Sequence, residues 1–349
     1  MTPEGHIPRE AEDSSEQYHL SGRVLYLTQD PDLIRQQIDG ENIHASQSPE
    51  LAFGVSTDEI APNRICLQYT GHEKNLLGNN LLTGFRGGAI KPGDILNGGF
   101  EVVVAGRSLG RGSSRYHAPI AFHEAGIKVL ITEPAERIFS ENAVNAGINI
   151  LHPDSAAARI LLKDKQIPIS MLREHLSPLS KDIMEAGSLV RYLKMLHEGK
   201  FAYPIPPQFP RPMTMIEKMI ARRVCTDNMN TGVNYVQPGN EVIARPDRYY
   251  GYELQTTITR RALSDEFGED TSIPHQEKAV LFNDHTALIQ KPKQPKHSRE
   301  NKKNLLVDMG LQILKMVTMG HRQSVIQRCW KNLLSQGSSF SEMILTPAH

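Results

Sequence analysis

The sequence has few cysteines, no excess of either charge and no long apolar run, and each absence argues against a class of protein. Three cysteines occur in 349 residues, far apart and without disulfide or metal-ligand spacing. Lysine plus arginine and aspartate plus glutamate each total 39, which argues against nucleic acid or an anionic membrane as partner. No run approaches the roughly 18 apolar residues that a membrane helix needs.

The termini and thiols indicate the compartment. The N-terminal segment MTPEGHIPREAEDSSEQ is polar and acidic, unlike a signal peptide. The isolated Cys66, Cys225 and Cys329 are interpreted as small buried hydrophobic residues. We therefore expect a cytoplasmic protein with reduced thiols, no membrane segment and no metal site on these cysteines.

The length predicts two domains on the usual prior of roughly 100–200 residues each. The clearest boundary is the stiff, proline-rich stretch YPIPPQFPRP, because such segments act as spacers. The chain is predicted to comprise a disordered lead at 1–20, a first domain at 21–200 and a linker at 201–212. A second domain at 213–304 and an atypical tail at 305–349 follow.

Strand and helix signals alternate through the first domain, which predicts an α/β fold. Asp30 is a candidate N-cap with Pro31 at the first helical position. Strands are predicted at 22–28, 93–96, 100–105, 128–131 and 148–151, and helices at 30–38, 118–125 and 135–145. Beyond these, 155–200 is expected to be helical with breaks, 213–224 a helix, and 236–244 a turn leading into a strand.

The loop GRSLGRGSSRYHAP, residues 106–119, carries the strongest chemical signal. A strand that enters a Gly/Ser loop and opens a helix presents backbone N–H groups and hydroxyls to an anion. Arg115 adds a planar fork suited to a carboxylate or phosphate. The loop alone is equally compatible with a tight strand–helix turn that carries surface arginines.

A second segment, GVSTDEIAP at 54–62, places Asp58 in a loop. Alone it is as compatible with an ordinary helix cap or turn as with a site. Together with the loop at 106–119 it becomes a more specific pattern of an acid-binding site.

These motifs resemble a known family. GRGSSRYHAP is similar to the GSSREHA loop of the swivelling domain in the aconitase and isopropylmalate isomerase superfamily, and STDEIAP to that domain's TD-x-I-x-P motif. KPGDILNGGFEVVVAG and AERIFSENAVNAG resemble its neighbouring segments, so the likeness spans roughly residues 50–150. MTMIEKMIARRV, VQPGNEVIARPD and VLFNDH resemble the beginning of the family's large catalytic portion.

The resemblance implies a swivelling β/β/α domain followed by an incomplete α/β catalytic fragment. Ser113 matches the family's base and Arg115 its carboxylate clamp, whereas Asp58, Asp284 and His285 match further catalytic positions. Substrate contacts carry over to Thr57, Arg111, Gly112 and Ser114. Two departures stand out, because Tyr116 replaces a glutamate and Arg111 replaces a cysteine found in many small subunits.

The resemblance further implies an aconitase-type hydro-lyase that isomerises a hydroxy di- or tricarboxylate by eliminating and re-adding water. That chemistry uses a [4Fe–4S] cluster, and this chain lacks the family's ligand cysteines at the matching positions. A separate chain is therefore a candidate partner. The substrate stays open among isopropylmalate, citrate, homocitrate and methylated malates.

The tail departs from the family pattern. Shifting the reading frame from Ser324 onward permits a Cys-His segment, a PGQ turn and an Asp-Ser-His-Thr motif. The hypothesis is a frameshift between about 287 and 309, which would make 305–349 out-of-frame translation and this chain incomplete and inactive alone. Two alternatives stay open, a non-catalytic carboxylate binder and an inert pseudogene product.

Overall fold

The computed structural model describes residues 16–43, 49–70, 73–113, 115–268 and 278–282. The chain divides into two compact units, Met1–Phe201 and Ala202–His349. Three predicted site residues lie outside the described residues, namely Ser114, Asp284 and His285. The predicted tail at 305–349 and most of the lead also lie outside them.

The first unit is built on a four-stranded parallel sheet. Its strands are runs of apolar, mostly β-branched residues such as FEVVVA and VLIT, which favour a sheet covered on both faces. Val103 pairs with Leu130 in register. In spatial order the strands are β2 (Arg23–Tyr26), β3 (Phe100–Ala105), β4 (Val129–Thr132) and β5 (Asn149–Leu151).

A two-stranded antiparallel ribbon accompanies the sheet, formed by β1 (Gln17–His19) and β6 (Gln166–Pro168). Eleven α-helices of this unit are described, with a 3₁₀ turn at Arg86–Gly88. They are α1 (Pro31–Ile38), α2 (Thr57–Ile60), α3 (Asn63–Cys66), α4 (Leu76–Asn79), α5 (Asp94–Asn97), α6 (His117–Glu124), α7 (Arg137–Asn145), α8 (Ala156–Asp164), α9 (Ile169–Leu172), α10 (Pro178–Ala186) and α11 (Leu189–His197). The fold is mixed α/β with a parallel sheet, as predicted.

Helices cover the sheet, so its central strands are buried except at Glu101 of β3, which is half-buried. On one face, Val102 and Val104 of β3 pack with Ala158 and Leu161 of α8 in a single apolar cluster. Val103, which alternates with them along the strand, is also fully buried. This packing fixes the carboxyl ends of β3 and β4. The loops that lead from these strands to α6 and α7 therefore begin at fixed positions.

The second unit contains α12 (Met215–Ala221), β7 (Tyr249–Tyr252), α13 (Glu253–Phe267) and β8 (Ala279–Phe282), with β7 and β8 parallel. Thr214 and Glu217 form a capping box at the start of α12. A small apolar cluster groups Ala221, Val224 and Val236.

Three predictions of local structure are wrong. Residues 93–96 are not a strand, because Gly93 is left-handed and the Asp94 carboxylate accepts from the Lys91 N–H, which opens α5 instead. The strand expected within 236–244 is a single bridge between Ala244 and Val224. Residues Gln17–His19, at the end of the predicted disordered lead, form β1 and pair with β6.

The described cysteines are buried free thiols, Cys66 at 1% exposure and Cys225 at 6%, which confirms their interpretation as small core residues. Within the described ranges, none of the helices combines the length and apolar character that crossing a bilayer requires.

Candidate functional site

A cavity of about 210 Å³ lies beside the loop that follows β3. The loop after β4 and the first residues of α7 form part of its wall, as does the start of α2. Clefts beyond the carboxyl ends of parallel strands are the usual binding places in open α/β sheets. The lining residues are Thr57, Gly110, Gly112, Ser113, Arg115, Glu136, Arg137, Ile138, Phe139 and Asn142.

The loop owes its path to two left-handed glycines. Gly110 has φ +82° and Gly112 has φ +99°, conformations that favour residues without a Cβ. At Gly110 there is also no room, because an added Cβ would come within 2.1 Å of the Phe139 ring. Ser113 follows directly and is exposed at the cavity.

Backbone hydrogen bonds join this loop to the segment that contains Asp58. The N–H groups of Gly110 and Arg111 both donate to the Val55 carbonyl, at 2.8 and 3.1 Å. In return, the Thr57 N–H donates to the Arg111 carbonyl at 2.9 Å. Two motifs that lie far apart in the first unit's sequence are thereby held edge to edge.

Arg115 is held from two sides. Its Nη1 donates to the Asn63 Oδ1 at 3.0 Å, and its Nη2 forms an ion pair with Asp58. The Arg115 side chain is only 9% exposed, whereas that of Asp58 is 63% exposed. The two acceptors orient the guanidinium while part of Arg115 still lines the cavity.

Two buried neutral side chains, His117 and Cys66, interact electrostatically with this arginine, and Tyr116 follows it in the sequence. Burial, with a contribution from the Arg115 charge, lowers the pKa of His117 to about 4. Burial raises the pKa of the Cys66 thiol to about 11, although the positive charge of Arg115 opposes that shift. Burial likewise raises the pKa of the Tyr116 phenol. These three side chains are uncharged near neutral pH, so none of them compensates the charge of Arg115.

The structure brings together part of the predicted site. Thr57, Gly112, Ser113 and Arg115 line one cavity, and Asp58 adjoins it through its ion pair with Arg115. The Arg111 side chain instead lies near Gly54. Its Nη1 is 3.8 Å from the position that a Cβ on Gly54 would occupy. The catalytic and binding roles themselves remain predictions.

Sequence reasoning missed Asn63 and the cavity-lining residues in and just before α7, among them Glu136 and Asn142. Asn63 follows the STDEIAP motif directly, and α7 was identified as a helix. Its place beyond the carboxyl end of β4 could have indicated that it faces the same site.

The described residues do not fit an iron–sulfur cluster. Such a cluster requires several thiolates converging on one point, and the described ranges contain only two cysteines, Cys66 and Cys225, both of them buried free thiols. Within the described ranges, no group of three or more His, Cys, Asp or Glu residues could hold a metal ion.

The first unit is an α/β domain with a glycine–serine–arginine loop beyond the strands of its parallel sheet, and comparison with known proteins identifies its family. The Aconitase C-terminal domain profile matches residues 97–153. The isopropylmalate/citramalate isomerase small subunit of Methanocaldococcus jannaschii is 32% identical over 165 residues, 40% of this chain and 87% of the relative. The chain belongs to the aconitase and isopropylmalate isomerase superfamily.

Other comparisons cover a similar share of the chain. The 3-isopropylmalate dehydratase small subunit of Lachnospira eligens is 31% identical over 161 residues, 42% of this chain and 92% of the relative. A crystal structure of 3-isopropylmalate dehydratase from Methanocaldococcus jannaschii has 28% identity and a TM-score of 0.31, and the match covers 43% of this chain and 94% of that one. At that TM-score it adds nothing to the assignment.

Proposed function

We propose that this chain supplies the substrate-loop domain of an aconitase-type hydro-lyase that acts on a hydroxy di- or tricarboxylate. The observation that carries the proposal is the oriented guanidinium of Arg115 beside the exposed Ser113 in one cavity. A fork-shaped cation matches a carboxylate, and Ser113 is the base that takes a proton alpha to it. The relatives' names suggest 3-isopropylmalate as a substrate, and citrate is the alternative that the family resemblance implies.

The geometry supports proposed roles for four further residues. Asp58 and Asn63 hold Arg115 in place, since each accepts from one end of its guanidinium. The left-handed turn at Gly112 brings backbone close to the substrate, where N–H groups stabilise developing negative charge. Thr57, buried in the cavity wall, adds a hydroxyl.

The proposal assigns the iron–sulfur cluster to a separate chain, because the described residues do not fit it. The relatives matched over nearly their full length are named as small subunits, which supports a two-chain enzyme. The proposed compartment is the cytoplasm, in keeping with the free thiols of Cys66 and Cys225. Whether residues 305–349 are translated out of frame is tested by sequencing the locus.

Calorimetric titration of the full chain with 3-isopropylmalate and with citrate tests the binding half of the proposal. We expect saturable binding of one acid, weakened about 10- to 150-fold in Arg115→Ala by the loss of roughly 1.5–3 kcal/mol of charged hydrogen bonding. Arg191→Ala, which removes an exposed arginine of α11, is the matched control and should bind like the unmodified chain.

A measurement of turnover distinguishes an enzyme from a non-catalytic binder. The binder is a second candidate because the described residues lack cluster ligands. The chain is combined with the cluster-bearing chain of its own organism, and hydration of the unsaturated acid is followed by absorbance. Ser113→Ala should bind the acid normally and abolish turnover. Binding without turnover by the unmodified pair supports the binder, and the absence of both supports an inert product.

A further inference from the structure

Two arginines flank the exposed ring of Phe53, and a third reaches the residue that follows it. We call Phe53, Arg86, Arg107 and Arg111 the Phe53 patch. The guanidinium carbons of Arg86 and Arg107 lie 5.9 and 5.7 Å from the ring centroid, within cation–π range. The Arg111 Nη1 lies 3.8 Å from where a Cβ on Gly54 would stand.

Part of the patch is rigid. Arg86 Nη2 donates to the Phe53 carbonyl at 2.8 Å, and Arg86 Nε pairs with the Glu59 Oε1 at 3.0 Å. The backbone of Arg107 also participates, because its carbonyl accepts from the Gly54 N–H at 2.8 Å. The ring and its neighbouring charges are therefore presented in a defined arrangement.

The positive charge of the patch is not balanced locally. Glu59 already uses its other oxygen, Oε2, to accept from the N–H and hydroxyl of Ser56 at 2.8 and 2.9 Å in the α2 capping box. In the part of the chain that the structure describes, Arg107 and Arg111 have no ion pair. One carboxylate thus accompanies three guanidinium groups, which leaves a net charge of about two on an exposed surface.

The shape of the patch favours a macromolecule over a small molecule. Small ligands usually bind in concave cavities, and no residue of the patch is among those lining the cavity described above. Phe53 is 45% exposed and the Arg86 side chain 48%. Exposed aromatic rings with arginines are enriched at protein interfaces, and the fork of arginine matches carboxylates.

We propose that the Phe53 patch is an interaction surface for an acidic segment of a partner polypeptide. Arg107 and Arg111 pair with carboxylates of that segment, and the Phe53 ring packs against its apolar part. Because the Arg111 backbone holds Thr57 in place, docking at the patch would also fix the edge of the cavity. The inference stands apart from the proposed reaction, since it uses neither Ser113 nor Arg115.

A fluorescein-labelled oligoglutamate peptide, titrated against the full chain by anisotropy at about 0.15 M salt, tests the proposal. We expect saturable binding that the Arg107→Ala/Arg111→Ala double variant weakens at least about tenfold, as the loss of one charged hydrogen bond already would. Phe53→Ala should weaken binding less, and the control Arg191→Ala should not change it. Circular dichroism checks that each variant is folded, and Arg107→Gln/Arg111→Gln replaces a variant that is not.

Three results would overturn the proposal. The first is an unmodified chain that does not bind oligoglutamate. The second is a double variant that is folded and binds oligoglutamate as tightly as the unmodified chain. The third is displacement of the peptide by inorganic tripolyphosphate or oligothymidylate at a lower concentration of negative charge than unlabelled oligoglutamate requires, which would make the patch a site for small anions or nucleic acid. None of these results depends on whether the chain binds a hydroxy acid.

Discussion

Replacing Gly110 with alanine tests whether close packing against Phe139 of α7 shapes the cavity loop. The new Cβ would stand 2.1 Å from the Phe139 Cγ and 2.4 Å from its Cδ2, so ring or loop must move. Overpacking of this kind costs about 1–3 kcal/mol. The left-handed φ of +82° adds roughly 1–2 kcal/mol for a residue with a Cβ.

Gly126→Ala is the matched control, because Gly126 has φ +85° and nothing within 4 Å of an added Cβ. It has the backbone cost of Gly110→Ala without the collision. Thermal unfolding followed by circular dichroism should show a loss of about 2–8 °C for Gly126→Ala and a further loss of about 2–12 °C for Gly110→Ala, at roughly 2–4 °C per kcal/mol for a unit of this size.

Equal losses for the two variants would refute the steric argument, since only the collision distinguishes them. A second-site change gives an independent check. Phe139→Leu removes the ring and should recover part of the stability lost in Gly110→Ala, although Phe139→Leu alone is destabilising because it leaves space in the core.

Two further predictions concern buried polar groups of the first unit. Gln37→Leu should lower the free energy of unfolding in urea by about 2–5 kcal/mol, because the Gln37 amide accepts from the Tyr26 N–H at 2.8 Å and donates to the Tyr26 carbonyl at 2.9 Å, and both backbone groups would be left unsatisfied. The control Gln36→Leu, at an exposed position, should change that free energy by about 0.5 kcal/mol at most. Similar losses in the two variants would contradict the argument. The pKa of His117 falls from 6.5 to about 4 on folding, so between these pH values the unfolded chain binds one proton more and stability should fall as the pH drops from about 6.5 to 4. Denaturant unfolding across that range should show a shallower fall of the unfolding free energy in His117→Leu. The same dependence on pH in the variant and the unmodified chain would argue against a buried neutral imidazole.

Local sequence patterns were sufficient to predict many of the helices and strands of the first unit. Asp30 and Pro31 predicted the start of α1, and the Asp30 carboxylate does accept from the Asp32 N–H. The apolar runs of β3 and β4 predicted strands, because a parallel sheet covered on both faces needs continuous burial. These features depend on a few neighbouring residues. The strand prediction at 93–96 was wrong because a short apolar pair is compatible with both a strand and a helix. The hydrogen bond from the Lys91 N–H to the Asp94 carboxylate favours the helix.

The sequence by itself determined the α/β class and the superfamily, since both follow from the order of motifs along the chain. Only the tertiary structure decided which side chains meet. Asn63 contacts Arg115 across 52 positions and Asp58 does so across 57, and the start of α7 completes the cavity because β3 and β4 are neighbours in the sheet. It likewise separated Arg111 from the cavity lining and placed it with Arg86 and Arg107 near Phe53. Contacts over such distances depend on the path of the whole chain, which no local pattern records.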